Sequence, residues 1–259
     1  MRKKNTYSRI IQNVFSWDNE QESFQKGKMI HLLHCCVEHD ITSFDASSEN
    51  GETVKKTFGT ALSESGLSRD EIQLIGKLKN SSEKGVFSQV EELLLNMRTD
   101  YLDLLLLESP QQPETVKNDL EKLSSQGKIS EVGGFNLQPQ EMTAFKGHFP
   151  LSTNYSEFNF SASEENEQPS EEFSEEIVQM TGFDIKKIHS LVKNDIFEQL
   201  SKKYHCDQTH LLLSWLLNHP SHLHPVISFG SEEEISRAAK SKDIGLDPVD
   251  WQKINFLLK

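Results

Sequence analysis

Three ionisable residues stand where a fold of parallel strands usually keeps its chemistry. Asp45 closes the run Ile41-Thr42-Ser43-Phe44-Asp45, Lys77 closes Ile72-Gln73-Leu74-Ile75-Gly76-Lys77, and Glu108 follows the apolar run Leu104–Leu107. Each lies at the carboxyl end of an expected strand, the edge at which α/β folds bind ligands. Two carboxylates and a lysine in one mouth could serve hydrolysis, lyase chemistry or a Schiff base. The plainer reading, a salt-bridge cluster, is favoured. Two further groups have ligand-like residue types. His31, His34, Cys35 and Glu38 recur at helical spacing on a face expected to point away from the core, and His219, His222 and His224 surround Pro220 and Pro225 in a turn. Solvated faces and turns carry such residues more often than metals do, so no metal is expected.

The elements that must position these residues alternate through most of the chain. Tyr7–Trp17 carries an apolar patch suited to a first strand, and Gln21–Glu38 reads as a helix with Leu32, Leu33, Cys36 and Val37 on one face. Strand Ile41–Phe44, helix Glu52–Ser65, strand Ile72–Gly76 and helix Phe87–Met97 follow. Tyr101–Leu107 is the clearest strand, a continuous apolar run of the kind a parallel sheet buries on both faces. Helix Pro113–Gln126 stops at Gly127, a C-cap signal. Ile129–Gly133 is a short strand, Gln138–Lys146 a helix opened by Pro139, and Leu151–Phe158 is strand-like. Ile185–Val192 is read as the next strand, Asp195–His205 and Gln208–Asn218 as helices, Pro225–Phe229 as the last strand, and Glu232–Lys240 and Trp251–Leu258 as closing helices. Residues 161–176, rich in Glu and Ser, read as a solvated acidic loop. Strand-helix alternation of this kind makes a parallel sheet, and eight units close a barrel.

Length and composition fit that architecture. The chain has 259 residues, and one (β/α)8 barrel takes about 250, so one domain over residues 1–259 is expected. A formal net charge of −13 disfavours nucleic acid and anionic membranes as partners. Three cysteines without framework spacing point to a reducing, cytoplasmic setting. No apolar h-region follows the basic start Met1-Arg2-Lys3-Lys4, and no run of 18 apolar residues occurs.

The stretch Phe44-Asp45-Ala46-Ser47-Ser48-Glu49-Asn50-Gly51 resembles the active-site signature of the aldo-keto reductases, Phe-Asp-Thr-Ala, two variable residues, then Tyr-Gly. Four more stretches are similar to that family in the same order. Ile72–Lys77 resembles the strand that delivers its lysine, and Met97–Leu107 the strand that ends in its histidine, a position held here by Glu108. Gly127–Asn136 resembles the segment ending Gly-Val-Ser-Asn-Phe, with Phe135 for the serine and Asn136 retained. Thr153-Asn154-Tyr155-Ser156-Glu157 resembles Thr-Asn-Gln-Val-Glu, with Tyr155 for the glutamine. The resemblance implies a (β/α)8 barrel, NADP(H) as cofactor, tetrad positions Asp45, Asn50, Lys77 and Glu108, and cofactor positions Asn136, Tyr155, Ser228 and Gly230.

Two of the four tetrad positions are changed. In the family a tyrosine gives the carbonyl its proton, a lysine paired to the aspartate lowers the phenol pKa, and a histidine orients the carbonyl. Asn50 has no proton to give near neutral pH, and an ionised Glu108 would oppose the negative charge that develops on the carbonyl oxygen. Asp45 and Lys77 remain, so the ion pair that the resemblance implies could still form. Tyr155 is the one tyrosine at a strand end, and it is expected to fill the mouth rather than act as the acid. The cofactor positions look eroded as well. Helix Asp195–His205 starts just after the seventh strand expected at 185–192, which leaves no room for the loop that clasps the pyrophosphate, so the late loops are expected to be short. Glu232, Glu233 and Glu234 in the first turn after Pro225–Ser231 would satisfy that helix dipole and repel a phosphate. The expectation is a catalytically defective barrel with weak or absent NADP(H) binding that acts by binding an unidentified small molecule or protein; an NADP(H)-dependent oxidoreductase that reduces carbonyls with an altered set of residues is the alternative.

Overall fold

The computed structural model of the chain describes residues 7–17, 26–48, 51–78, 84–108, 113–146, 149–157, 177–184 and 195–258. Eight parallel strands, β1 Ile11–Asn13, β2 Ser43–Asp45, β3 Gln73–Lys77, β4 Leu102–Leu107, β5 Ile129–Phe135, β6 Thr153–Glu157, β7 Val178–Gly182 and β8 His224–Ile227, close into a barrel in sequence order. Register runs unbroken around it, from Asn13 beside Asp45 to Gln12 beside Ile227. Helices pack outside: α1 Lys26–Glu38, α2 Glu52–Glu64, α3 Val86–Met97, α4 Pro113–Ser125, α5 Pro139–Lys146, α6 Asp195–Lys203, α7 Gln208–Leu217, α8 Glu232–Lys240 and α9 Pro248–Leu258.

The barrel wall follows from the period of two. Leu104 and Leu106 join the interior cluster with Ile11, Ile75, Tyr155, Met180 and Val226, while Leu105 and Leu107 join the outer core under the helices; Leu102, at the start of β4, departs from the period and joins the outer core too. Every residue of β4 is buried. Full burial of one leucine is worth about 1.5–3 kcal/mol, which is why a strand with no polar alternation holds this place. Asp103 is the exception, and its carboxylate is paired by Arg69 at 2.7 Å and by the Leu74 N–H at 2.8 Å. An edge-packed triad of Trp17, Phe44 and Phe58, with ring centroids 6.0–6.3 Å apart, seals β2 under α2. Gly59 on α2 allows the close approach of α3, since a Cβ there would lie 2.4 Å from the Met97 carbonyl carbon.

Three expectations are corrected here. The first strand covers only Ile11–Asn13, and Val14–Trp17 turns into a 3-10 helix that carries Trp17 under α2. The seventh strand of the barrel is Val178–Gly182, paired to β6 from Thr153 beside Val178 to Glu157 beside Gly182. The expected strand 185–192 therefore does not supply that place; except for its neighbour Asp184, it lies outside the described residues, as do Asn50 and the acidic stretch 161–176. The outward face expected for Cys35 is also wrong: Cys35 is buried, its sulfur against the Glu232 carbonyl, because α1 packs on α8 as well as on the sheet.

Candidate active site

The strand period places the polar cluster. Two residues beyond Ile11, Ser43, Ile75, Leu106, Gly133, Thr153 and Met180 stand Asn13, Asp45, Lys77, Glu108, Phe135, Tyr155 and Gly182. A strand turns every second side chain to the same face. These seven positions therefore continue the interior rows to the carboxyl end of the barrel. Asp45, Lys77 and Glu108 come from neighbouring strands β2, β3 and β4.

Their pairing differs from the family-based expectation. The Lys77 ammonium lies 2.8 Å from Glu108 Oε1 and 3.9 Å from the centre of the Phe135 ring. Asp45 is wholly buried and takes its partners from neutral groups: the Ser47 N–H at 2.9 Å, Asn13 Nδ2 at 3.1 Å and the Tyr155 hydroxyl at 3.5 Å. The expected Asp45–Lys77 pair has thus been exchanged. Glu108 has brought a nearer carboxylate to the amine, and Tyr155 has brought a donor to the aspartate. Burial raises the Asp45 carboxyl above its ordinary value, opposed by the hydrogen bonds from Ser47, Tyr155 and Asn13. Burial, and then the Asp45 charge, push the Tyr155 phenol well above its usual range. A phenol shifted that way is a weaker acid.

Asn13 and Gly182 were not found in the sequence. Asn13 is visible only once the first strand is trimmed to Ile11–Asn13, and Gly182 only once β7 is placed. Gly51 marks the start of α2 at φ 111, in the left-handed region, with the Phe15 ring where a Cβ would be.

The cofactor positions hold their own contacts. Asn136, at φ 53, donates its N–H to the Tyr155 carbonyl at 2.7 Å and accepts the Glu157 N–H on its side chain at 3.1 Å, so its amide ties β5 to β6. Tyr155 is buried edge-on against Phe135, with ring centroids 5.1 Å apart. Ser228 is exposed just past β8. The Gly230 N–H donates to Glu234 Oε2 at 2.9 Å. The missing room for a clasp is corrected too: β7 ends at Gly182 and α6 begins at Asp195, so residues 183–194 stand between them. The histidine turn is tied to distant parts of the chain: His224 Nδ1 meets the Ser8 carbonyl at 3.0 Å, and His219 packs edge-on to Trp251. Among the described residues no group of three His, Cys, Asp or Glu could hold a metal ion, and no helix is long and apolar enough to cross a membrane.

Residues 14–188 match the profile of the Aldo/keto reductase family. The chain belongs to that family. It is 25% identical to the uncharacterized oxidoreductase YcsN of Bacillus subtilis, over 96% of this chain and 93% of that protein. It is 24% identical to the 6-dehydroglucose reductase of Agrobacterium fabrum, over 87% of this chain and 86% of that one. Among solved structures, the thermostable aldo-keto reductase Tm1743 with the inhibitor epalrestat has the same fold, with TM-score 0.83, 16% identity, and coverage of 96% of this chain and 94% of that one. An aldo/keto reductase from Klebsiella pneumoniae in complex with NADP and acetate superposes at TM-score 0.79 with 20% identity, over 97% and 91%. The Phe135 and Tyr155 rings pack against each other at the barrel mouth, and the Gly230 N–H is held by the Glu234 carboxylate.

Proposed function

We propose that this aldo-keto reductase is catalytically defective and acts by binding a small molecule or a protein partner. The observation that carries this reading is the exchanged pairing at the barrel mouth. Lys77 is engaged by Glu108 at 2.8 Å and covered by Phe135, so its charge is directed to a carboxylate rather than to a phenol. General acid–base help is commonly worth 10²–10⁴-fold, and the family's acid position is Asn50. NADPH binding is proposed to be weaker than about 0.1 mM, near −5.5 kcal/mol. Phe135, Tyr155 and Glu234 support this; chain length after the seventh strand does not. The partner is proposed to be neither nucleic acid nor membrane, on the charge of −13, and the setting to be the cytoplasm.

The test is saturating NADPH with a reactive nitrobenzaldehyde and the purified protein. No measurable turnover is expected, whereas a rate near ~1 per second, in the usual range of enzyme turnover, would sink the proposal. One observation favours a second reading, an oxidoreductase with an altered set: the Tyr155 hydroxyl, 3.5 Å from Asp45, is the phenol nearest the tetrad positions. Turnover in the unmodified protein that disappears in Tyr155→Phe would select it.

A further inference from the structure

The three acids that open α8 are not equivalent. Glu232 is paired with His31 at 2.8 Å, across to α1. Glu233 is paired with Arg237 one turn along α8. Glu234 alone folds back over the helix start: Ser231 caps the helix by accepting the Glu234 N–H at 3.3 Å, and the Glu234 carboxylate accepts the Gly230 N–H at 2.9 Å and the Ser231 hydroxyl at 3.3 Å.

The amide it meets is fixed from behind. The peptide joining Phe229 to Gly230 presents its carbonyl to three donors, Trp17 Nε1 at 2.8 Å, Gln12 Nε2 at 3.0 Å and the Ser16 hydroxyl at 3.2 Å. A trans peptide points its C=O and N–H in opposite directions. Anchoring the Phe229 oxygen in the barrel wall therefore aims the Gly230 N–H outward, at the start of α8. An oriented N–H at a helix N-terminus attracts an anion, and here the anion is part of the chain.

We propose that Glu234 is a specificity-determining residue that fills the phosphate cradle with its own carboxylate and so excludes phosphate-bearing nucleotides from the α8 terminus. The proposal deepens the reading of weak cofactor binding and rests on the family assignment of that terminus to the cofactor. It is independent of Phe135 and Tyr155, and a probe without a nicotinamide separates the two.

The probe is 2′,5′-ADP, titrated by calorimetry into the full chain and into Glu234→Ala and Glu234→Gln. The wild type is expected to bind weakly. Glu234→Ala, which frees the Gly230 amide and removes the charge, is expected to bind at least tenfold more tightly. Glu234→Gln, which keeps the side-chain length and an acceptor oxygen, should fall between them. If Glu234→Ala does not fold, the comparison rests on Glu234→Gln, with a gain of at least threefold required. Wild-type binding as tight as that of the variants, or a folded variant with no gain, overturns the proposal. A gain for 2′,5′-ADP without a gain for NADPH leaves the blocked mouth standing. Tight NADPH binding by the wild type would overturn both readings.

Discussion

Toward the amino-terminal end of the barrel the buried Tyr7 hydroxyl donates to Glu131 Oε2 at 2.8 Å; at the carboxyl end the buried Tyr155 hydroxyl donates to Asp45 Oδ2 at 3.5 Å. The two pairs share their chemistry but not their surroundings. Glu131 is half-buried, whereas Asp45 is wholly enclosed and its carboxyl is raised by burial. The lower pair sits within a tight polar belt, in which the Ser8 N–H meets Ser43 Oγ at 2.8 Å and Ser43 Oγ meets Gln73 Oε1 at 2.9 Å. The upper pair adjoins the Lys77–Glu108 ion pair. One end has the bonding of a plug, and the other keeps a buried acid on neutral donors, an arrangement with a standing energetic cost. The comparison teaches that tight polar bonding and a buried, strained acid are divided between the two ends of this barrel.

Five substitutions break or sharpen that contrast. Leu104→Ala removes an interior side chain between the two ends and should cost about 2–5 kcal/mol, read as a lowered denaturant midpoint with an unchanged slope. Tyr7→Phe removes a short bond to a carboxylate and should cost about 1–2 kcal/mol in the same measurement.

Acid response separates the mouth from the surface. Asp250 lies between Lys203, Lys253 and the Tyr204 hydroxyl, and these partners, Lys203 first, lower its carboxyl from 3.8 to about 2. A lowered folded-state value means stability that is present above pH 3.8 and lost as the pH falls to about 2. With solvent screening of the exposed lysines, Asp250→Asn should cost about 1 kcal/mol at pH 7, and the difference from wild type should close near pH 2. For Asp45 the sign is opposite. Its folded-state value is raised, so the native state holds the proton more tightly, and stability falls as the pH rises through the interval above the ordinary carboxylate range. Wild type should therefore gain on Asp45→Asn as the pH is lowered from 7 to 4; melts showing the reverse trend would remove the strained-acid picture. The smallest effect belongs to Tyr155→Phe. A bond of 3.5 Å is at the limit of hydrogen bonding, so the loss should be under about 0.5 kcal/mol, against the larger loss for Tyr7→Phe.

Much of the fold was legible. The apolar run of β4 has no other stable place than a wall buried on both faces, and Gly127, at φ 68 just past α4, ends that helix as its residue type implied. β7 was missed because its alternation, Val178-Gln179-Met180-Thr181, spans only four residues before Gly182, and pairing with β6 settles its conformation. In the candidate site the meeting of Asp45, Lys77 and Glu108 at one end of the barrel was legible from the strand ends. The exchange of partners was not, since which carboxylate reaches an amine depends on side-chain directions across β2, β3 and β4. The three acids at α8 read as one charged block in the sequence and separate only when His31 and Arg237 claim two of them.

Gly182 leaves the Tyr155 ring little slack. A Cβ at 182 would lie 3.2 Å from the phenol oxygen and 3.3 Å from Cε2, so the ring would have to yield by a few tenths of an ångström. The two positions are therefore epistatic. With tyrosine at 155, alanine at 182 meets a crowded partner; with a smaller residue at 155, the same alanine loses those close contacts. Any route, natural or engineered, that returns a glutamine to position 155 should pass through that change first, and only afterwards is position 182 free to drift from glycine.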